Sequence, residues 1–258
     1  MTKHVMRYGW AAVVMVLCAV AAPVQAQAKD GWVTILDANS FKDWKVAPGN
    51  ASSKVEETPT VKKVVAGDSL KDGRWTFENG VLHGEGGVSH IFSPRGDYEN
   101  FVYRAEIKIK DKGNSGQYFR TAFGNGFPNG YEAQVNSTHT DPVRTGSLYG
   151  FVKELDMLVP PDTWFTQEVT AVGNHIVIKV NGKTTVDYVD TKNTHMKGHF
   201  AFQQHNLGSE VWIRNTRFLD RALARNSQIR FASDPFDPLN AGSFFEREIR
   251  YLQAKGGM

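Results

Sequence analysis

From Gly31 onward, apolar and polar residues alternate with a period of two, interrupted at short intervals by Gly, Asn and Pro. That period marks strands with one face turned to a core. The clearest case is Phe101 to Lys110, and further strands are expected over 117–122, 131–136, 167–172, 175–180, 184–189, 199–205 and 211–218. Two turns are legible from their residues. Gly173-Asn174 and Asn181-Gly182 tolerate the positive φ that two-residue hairpin turns require, so residues 164–190 read as a three-stranded meander. No amphipathic helix of ten or more residues appears before about residue 220. Many short strands without alternating helices predict an all-β sandwich or jelly roll of two antiparallel sheets. Residues 46–71 are polar, show little pattern and read as a long loop. Beyond Asp220 the pattern changes: Asp234-Pro-Phe-Asp-Pro238 breaks the chain, and Ser243-Phe-Phe-Glu246 resembles a capping box opening a short helix to about Ala254. Phe245, Ile249 and Leu252 share one side of that helix, a face fit to dock on the domain or to recruit a partner.

Strand parity also sorts the polar residues. Tyr118 and Arg120 share a face opposite Phe119; Glu132 and Gln134 oppose Ala133 and Val135; His199, Gln203 and His205 oppose Phe200 and Phe202. If these strands belong to one sheet, Tyr118, Arg120, Glu132, Gln134, Gln203 and His205 gather on its outer surface. A solvated sheet face also carries polar residues. This set, however, mixes a carboxylate, a guanidinium, an imidazole, amides and a phenol, groups suited to gripping hydroxyls and moving protons.

The chain has 258 residues and a net charge of +3, too small to point to nucleic acid. Its start is laid out as a secretory signal peptide: Lys3 and Arg7, an apolar run from Trp10 to Ala22, then Ala26-Gln27-Ala28. That run is shorter than the roughly 20 residues that span a bilayer. Cleavage after Ala28 (Ala26 is the other option) removes two bases and no acids, leaving 28 bases against 27 acids, +1. The expected organisation is therefore a leader over 1–28, a jelly-roll domain over 29–220 and an extension over 221–258, in a periplasmic or secreted protein with no membrane span once the leader is gone. Cys18 is the only cysteine, and Leu17 before it does not suit a lipidation signal. The mature chain would hold no disulfide, thiolate metal site or cysteine nucleophile.

At the parity-sorted residues the chain resembles the 3-keto-disaccharide hydrolase domain family. The matching stretches are Gly31-Trp-Val-Thr-Ile-Leu-Asp37 with Phe41-Lys-Asp-Trp44, Trp75-Thr-Phe-Glu-Asn-Gly-Val-Leu82, Gly113-Asn-Ser-Gly-Gln-Tyr-Phe-Arg120, Gly130-Tyr-Glu-Ala-Gln-Val135 and Thr145-Gly-Ser-Leu-Tyr-Gly150. Pro160-Pro161 with Trp164, Asn181-Gly182, Gln203-Gln-His205 and Arg214-Asn-Thr-Arg217 complete the series, which runs in order over about 30–219. The resemblance implies a concanavalin-like jelly roll and a substrate that is a glycoside already oxidised to a ketone at C3. Such a ketone acidifies the C2 proton; a base removes it, the C1 substituent leaves by β-elimination, and water added to the enone makes the outcome hydrolysis. On this basis Glu132 and His205 are the candidate base and acid, and Arg120 the candidate partner of the developing oxyanion. Asn114, Tyr118, Gln134 and Gln203 are candidates to hold the sugar, with Tyr149 stacking or donating. No cofactor is demanded. A divalent cation could be shared by Glu132, His205 and His139, although no His-x-His spacing forces it.

Two other functions compete. A laminarinase-type glycosidase needs a carboxylate pair on one strand. Glu154-Leu-Asp156 begins such a motif, but Leu158 and Val159 occupy the places of the second Glu. A non-catalytic carbohydrate-binding module would use Tyr118, Tyr131 and Tyr149 as stacking platforms. Convergence of Glu132, His205 and Arg120 in one hollow is what separates the enzyme from the binder.

Overall fold

A computed structural model describes residues 31–49, 53–65 and 72–221. Alternation builds the layers, and β8 (Phe101–Ile109) shows how: Phe101, Tyr103, Ala105, Ile107 and Ile109 are buried, while each residue between them is half-exposed. Its inward side faces a core and its outward side faces water. Around it lies an antiparallel ten-stranded sheet. Its order is β13 (Lys183–Val189), β12 (His175–Val180), β11 (Phe165–Val172), β8, β15 (Glu210–Asp220), β6 (Val81–Gly86), β5 (Gly73–Glu78), β4 (Val61–Val65) and β3 (Lys54–Glu57), with β1 (Val33–Thr34) also paired to β15. The facing sheet has five strands, in the order β10 (Tyr131–Asn136), β9 (Asn114–Thr121), β14 (His199–Gln204), β7 (Ser89–Phe92) and β2 (Lys45–Pro48). Together they form the expected jelly-roll-like sandwich of two antiparallel sheets. The leader and the helical tail lie outside the described residues.

Aromatic rings fill the space between the sheets. Phe200 of β14 stacks on Tyr98 and on Tyr103, each at 4.0 Å between centroids, and meets Phe101 edge-on at 4.7 Å. Removing such a side chain costs about 3–5 kcal/mol, which ties the two sheets together firmly at this point. The meander forms as its turns require, with β11, β12 and β13 joined by Gly173-Asn174 and Asn181-Gly182; φ is +56° at Gly173, +48° at Asn181 and +81° at Gly182.

One expectation is corrected. The stretch 46–71 is not a long loop: it contains most of β2 and all of β3 and β4. The strand pattern was hidden because a lysine occupies an inward position. Lys62 of β4 is 1% exposed, with its ammonium 3.2 Å from Glu57, bonded to the Lys42 carbonyl and 5.3 Å from the Phe41 ring centroid. Only by snorkelling toward these partners does a lysine sit in line with Val64 on a core-facing row. β3, exposed throughout, is the edge strand and carries no apolar face to detect.

Candidate functional site

The outward face of the five-stranded sheet is not solvated. Every residue of β9 is buried, on both sides of the strand. The segment after β10 folds back along its outer side: Gln134 N–H donates to Ser147 O at 3.0 Å and Tyr149 N–H donates to Glu132 O at 2.9 Å. With the loop after β9, this segment walls a cleft of about 250 Å³ lined by Asn114, Tyr118, Phe127, Glu132, Gln134, Asp141, Tyr149, Gln203 and His205. Seven of these nine were expected from the sequence, since the cross-strand pair Glu132–Tyr118 and the adjoining β14 bring the three parity rows onto one surface.

A directional chain of hydrogen bonds runs across the floor. Tyr118 Oη donates to Glu132 Oε2 at 2.7 Å. The Gln203 amide donates to Tyr118 Oη and meets His90 Nε2, each at 3.1 Å. His90 is fully buried, and that burial, with His205 nearby, pulls its pKa down to about 3. With the proton of neutral His90 on Nδ1, Nε2 accepts, and Gln203 then spends both N–H groups on His90 and Tyr118. The single Tyr118 proton is left to point at Glu132.

Burial is also the main reason the Glu132 carboxyl titrates near 8 rather than near 4.5; the Tyr118 bond opposes the shift and the Asp141 charge adds to it. Backbone geometry leaves space for this carboxyl. Gly116 lies beside Glu132 across the strand pair, and a Cβ there would stand 2.2 Å from Glu132 Oε1. On the same floor, Gln203 Oε1 and Asn114 Oδ1 are buried acceptors without a protein partner. At the rim, Tyr149 Oη donates to Asp141 Oδ2 at 2.9 Å. Arg144 holds the loop that presents Asp141 and His139, donating to Asn136 Oδ1 at 3.2 Å and to His139 O at 2.9 Å.

Arg120 does not join them. β9 carries a bulge, because the register with β14 shifts between His199–Thr121 and Ala201–Tyr118, and Arg120 takes φ +49° there. A bulge re-aims side chains and breaks strict alternation. The Arg120 side chain, 1% exposed, instead donates to the carbonyls of Glu99 and His195 and lies over the Phe101 ring. Parity counted from Tyr118 therefore fails two residues on. His199 departs similarly: its Nδ1 meets Ser93 O at 2.8 Å, away from the cleft lining.

Three groups escaped sequence reasoning. His90 lies in a strand of only four residues, too short to show a period, and its parity with Phe92 places it on the floor. Asp141 sits in a polar loop with no periodicity. Phe127 stands in Gly124-Asn-Gly-Phe-Pro-Asn-Gly130, where a large aromatic among turn residues was the available signal.

The cluster with the geometry to hold a cation lies elsewhere than expected. His139 and His205 meet edge-on with centroids 5.6 Å apart. Among the described residues, the trio with ligand atoms within 4.8 Å of one another is His83, Glu85 and Glu210, a group able to coordinate a divalent cation. It lies on the outer face of the ten-stranded sheet, with Glu210 paired to Lys110 and Glu85 to Arg74. The Glu154 side chain caps its own loop, accepting from the backbone N–H of Leu155 and Asp156 at 2.9 and 3.0 Å.

Residues 31–219 match the 3-keto-alpha-glucoside-1,2-lyase-like domain, nearly the whole described sandwich. The chain belongs to that family. Among solved structures, this lyase-like domain is similar to a candidate glycosyl hydrolase from Parabacteroides distasonis ATCC 8503, at 20% identity and a TM-score of 0.58, over 76% of this chain and 98% of that one. It is also similar to the carbohydrate-binding module CBM66 from Bacillus subtilis, at 16% identity and a TM-score of 0.45, over 68% and 94% of the two chains. These likenesses are of fold. No curated protein matches the sequence.

Proposed function

We propose that the cleft binds a glycoside oxidised to a ketone at C3 and cleaves it by elimination followed by hydration. The observation that carries the reading is Glu132: a carboxyl titrating near 8, oriented by Tyr118, in a cleft whose floor offers unpaired acceptors to sugar hydroxyls. A base with a pKa close to the working pH is the form in which a carboxylate abstracts a weakly acidic proton efficiently. Ionised Glu132 takes the C2 proton, and the electron pair moves toward the C3 oxygen. The enolate then collapses, the C1–O bond breaks, and His205 gives its proton to the departing oxygen. Water adds across the enone, oxygen at C1 and proton at C2. With Arg120 turned away, the side-chain amides of Gln134 and Asn114 are the donors for the C3 oxygen. Export through the leader peptide would place this activity on extracytoplasmic glycosides.

A second reading, carbohydrate binding without turnover, is favoured by one observation: no Lys or Arg lines the cleft. An enolate held by neutral amides alone is stabilised less than one facing a cation. Incubation of the protein with 3-keto-glucosides and their unoxidised parents separates the two. Turnover of the ketones alone, lost in Glu132→Gln, supports elimination; saturable binding of both without products leaves the binding module.

A further inference from the structure

We propose that Phe127 forms a subsite for an aromatic leaving group, so that the cleft takes aryl glycosides in preference to disaccharides. The inference rests on the reading of the cleft given above. Phe127 lines the cleft yet is 63% exposed, so most of its ring is uncovered. Its loop joins β9 to β10, and at the flanking Gly124 and Gly126 no atom lies within 4 Å of where a side chain would begin. The ring meets its neighbours only edge-on or tilted and leaves much of its surface uncovered. Around it stand other rings. His205 is 5.6 Å away by centroid and His90 6.0 Å, and His139 meets His205 edge-on.

The rest of the lining is polar, with Glu132, Asp141 and Tyr149, and the floor holds the unpaired acceptors of Gln203 and Asn114. A ligand must bring donors to those acceptors, because a buried acceptor left unpaired costs about 1–3 kcal/mol. Its hydroxyl-bearing ring consequently belongs on the floor, and the rest of the molecule extends past His205 to Phe127. This order also sets C2 beside Glu132 and the scissile oxygen beside His205. On the ring-lined flank few hydrogen-bonding atoms remain, since His205 Nδ1 already meets Asn206 Oδ1 at 2.9 Å. A second sugar there would give up water for contacts that do not replace it, whereas an aryl group loses no hydrogen bond and gains ring contact.

The test has two arms, each run on the wild type and on Phe127→Ala. In the first, kcat/KM is measured for 3-keto phenyl glucosides and for matched 3-keto disaccharides. Wild type favours the aryl substrates, and Phe127→Ala lowers the aryl-over-disaccharide ratio by roughly three- to tenfold. A ratio unchanged by the substitution overturns the proposal. In the second arm, unoxidised phenyl and methyl glucosides are titrated and followed by NMR, with no need for turnover. Tighter phenyl binding that Phe127→Ala abolishes supports the subsite; equal affinities in wild type overturn it. If wild type converts none of the 3-keto substrates, elimination is wrong, and the second arm still decides Phe127 by itself. An unchanged melting temperature in Phe127→Ala, expected for so exposed a ring, separates lost contact from misfolding.

Discussion

Glu132 ties the chemistry of the cleft to the stability of the fold, and Glu132→Gln exposes the link. An acid whose folded pKa lies above its unfolded value stabilises the protein below the unfolded pKa, and that contribution is lost as pH rises toward the folded pKa. Here the window runs from 4.5 to about 8. At 1.36 kcal/mol for each pH unit the full span would be worth about 4–5 kcal/mol; access of water through the cleft mouth brings the expected figure to about 2–3 kcal/mol. Glutamine has the same shape and never ionises, so the variant escapes the loss. Near pH 4.5 the two proteins should melt together. At pH 9 the variant should melt higher, by about 4–12 °C for a domain of this size. Calorimetric melts from pH 4.5 to 9 measure the gap. A gap that does not change with pH would refute the argument, because the carboxyl would then be ionised throughout. Turnover by wild type should rise over the upper part of the same window, as Glu132 becomes the ionised base.

Gly116→Ala drives a methyl group into the Glu132 carboxylate and should lower kcat by about a hundredfold, as a 1 Å misplacement does; melting and kinetics together check it. Arg120→Met leaves the Glu99 and His195 carbonyls without their donor and should cost about 2–4 kcal/mol of stability in denaturant melts, while glucoside affinity holds. His83→Ala should abolish binding of a divalent cation in calorimetric titration, whereas turnover in the cleft, on the other sheet, should survive chelator.

Where alternation was unbroken, the sequence was enough to place residues. β8 and β10 follow the period of two closely in sequence, so Glu132 and Gln134 could be assigned to a face from Ala133 and Val135 alone. Failures came wherever something broke the count. The bulge at Arg120 inserts a residue between Tyr118 and Thr121, and nothing in Gln-Tyr-Phe-Arg-Thr announces it. Lys62 conceals β4 because a buried lysine reads as a surface residue until its three partners are known. The cleft walls, including Asp141 and Phe127, come from loops, and the one that carries Asp141 is held by side-chain bonds within itself, such as those of Arg144. Strand periodicity carries no information about them.

The arrangement of Glu132 also bears on the choice between enzyme and binder. A binding module gains nothing from a carboxyl near pH 8: it would accept a sugar hydroxyl better when fully ionised, and stability would be greater with an amide in its place. Yet the fold leaves Gly116 without a side chain, so that the carboxyl fits, and aims the only Tyr118 proton at it. Gln203 and neutral His90 fix that direction in turn. A group kept at a cost to stability, in a cleft, with its orientation determined by two further residues, is the pattern expected where a proton is to be moved. The absent cation limits how strongly an enolate can be held, not whether one can form. Under the proposed elimination, that limit would favour good leaving groups, such as the aryl groups that Phe127 would hold.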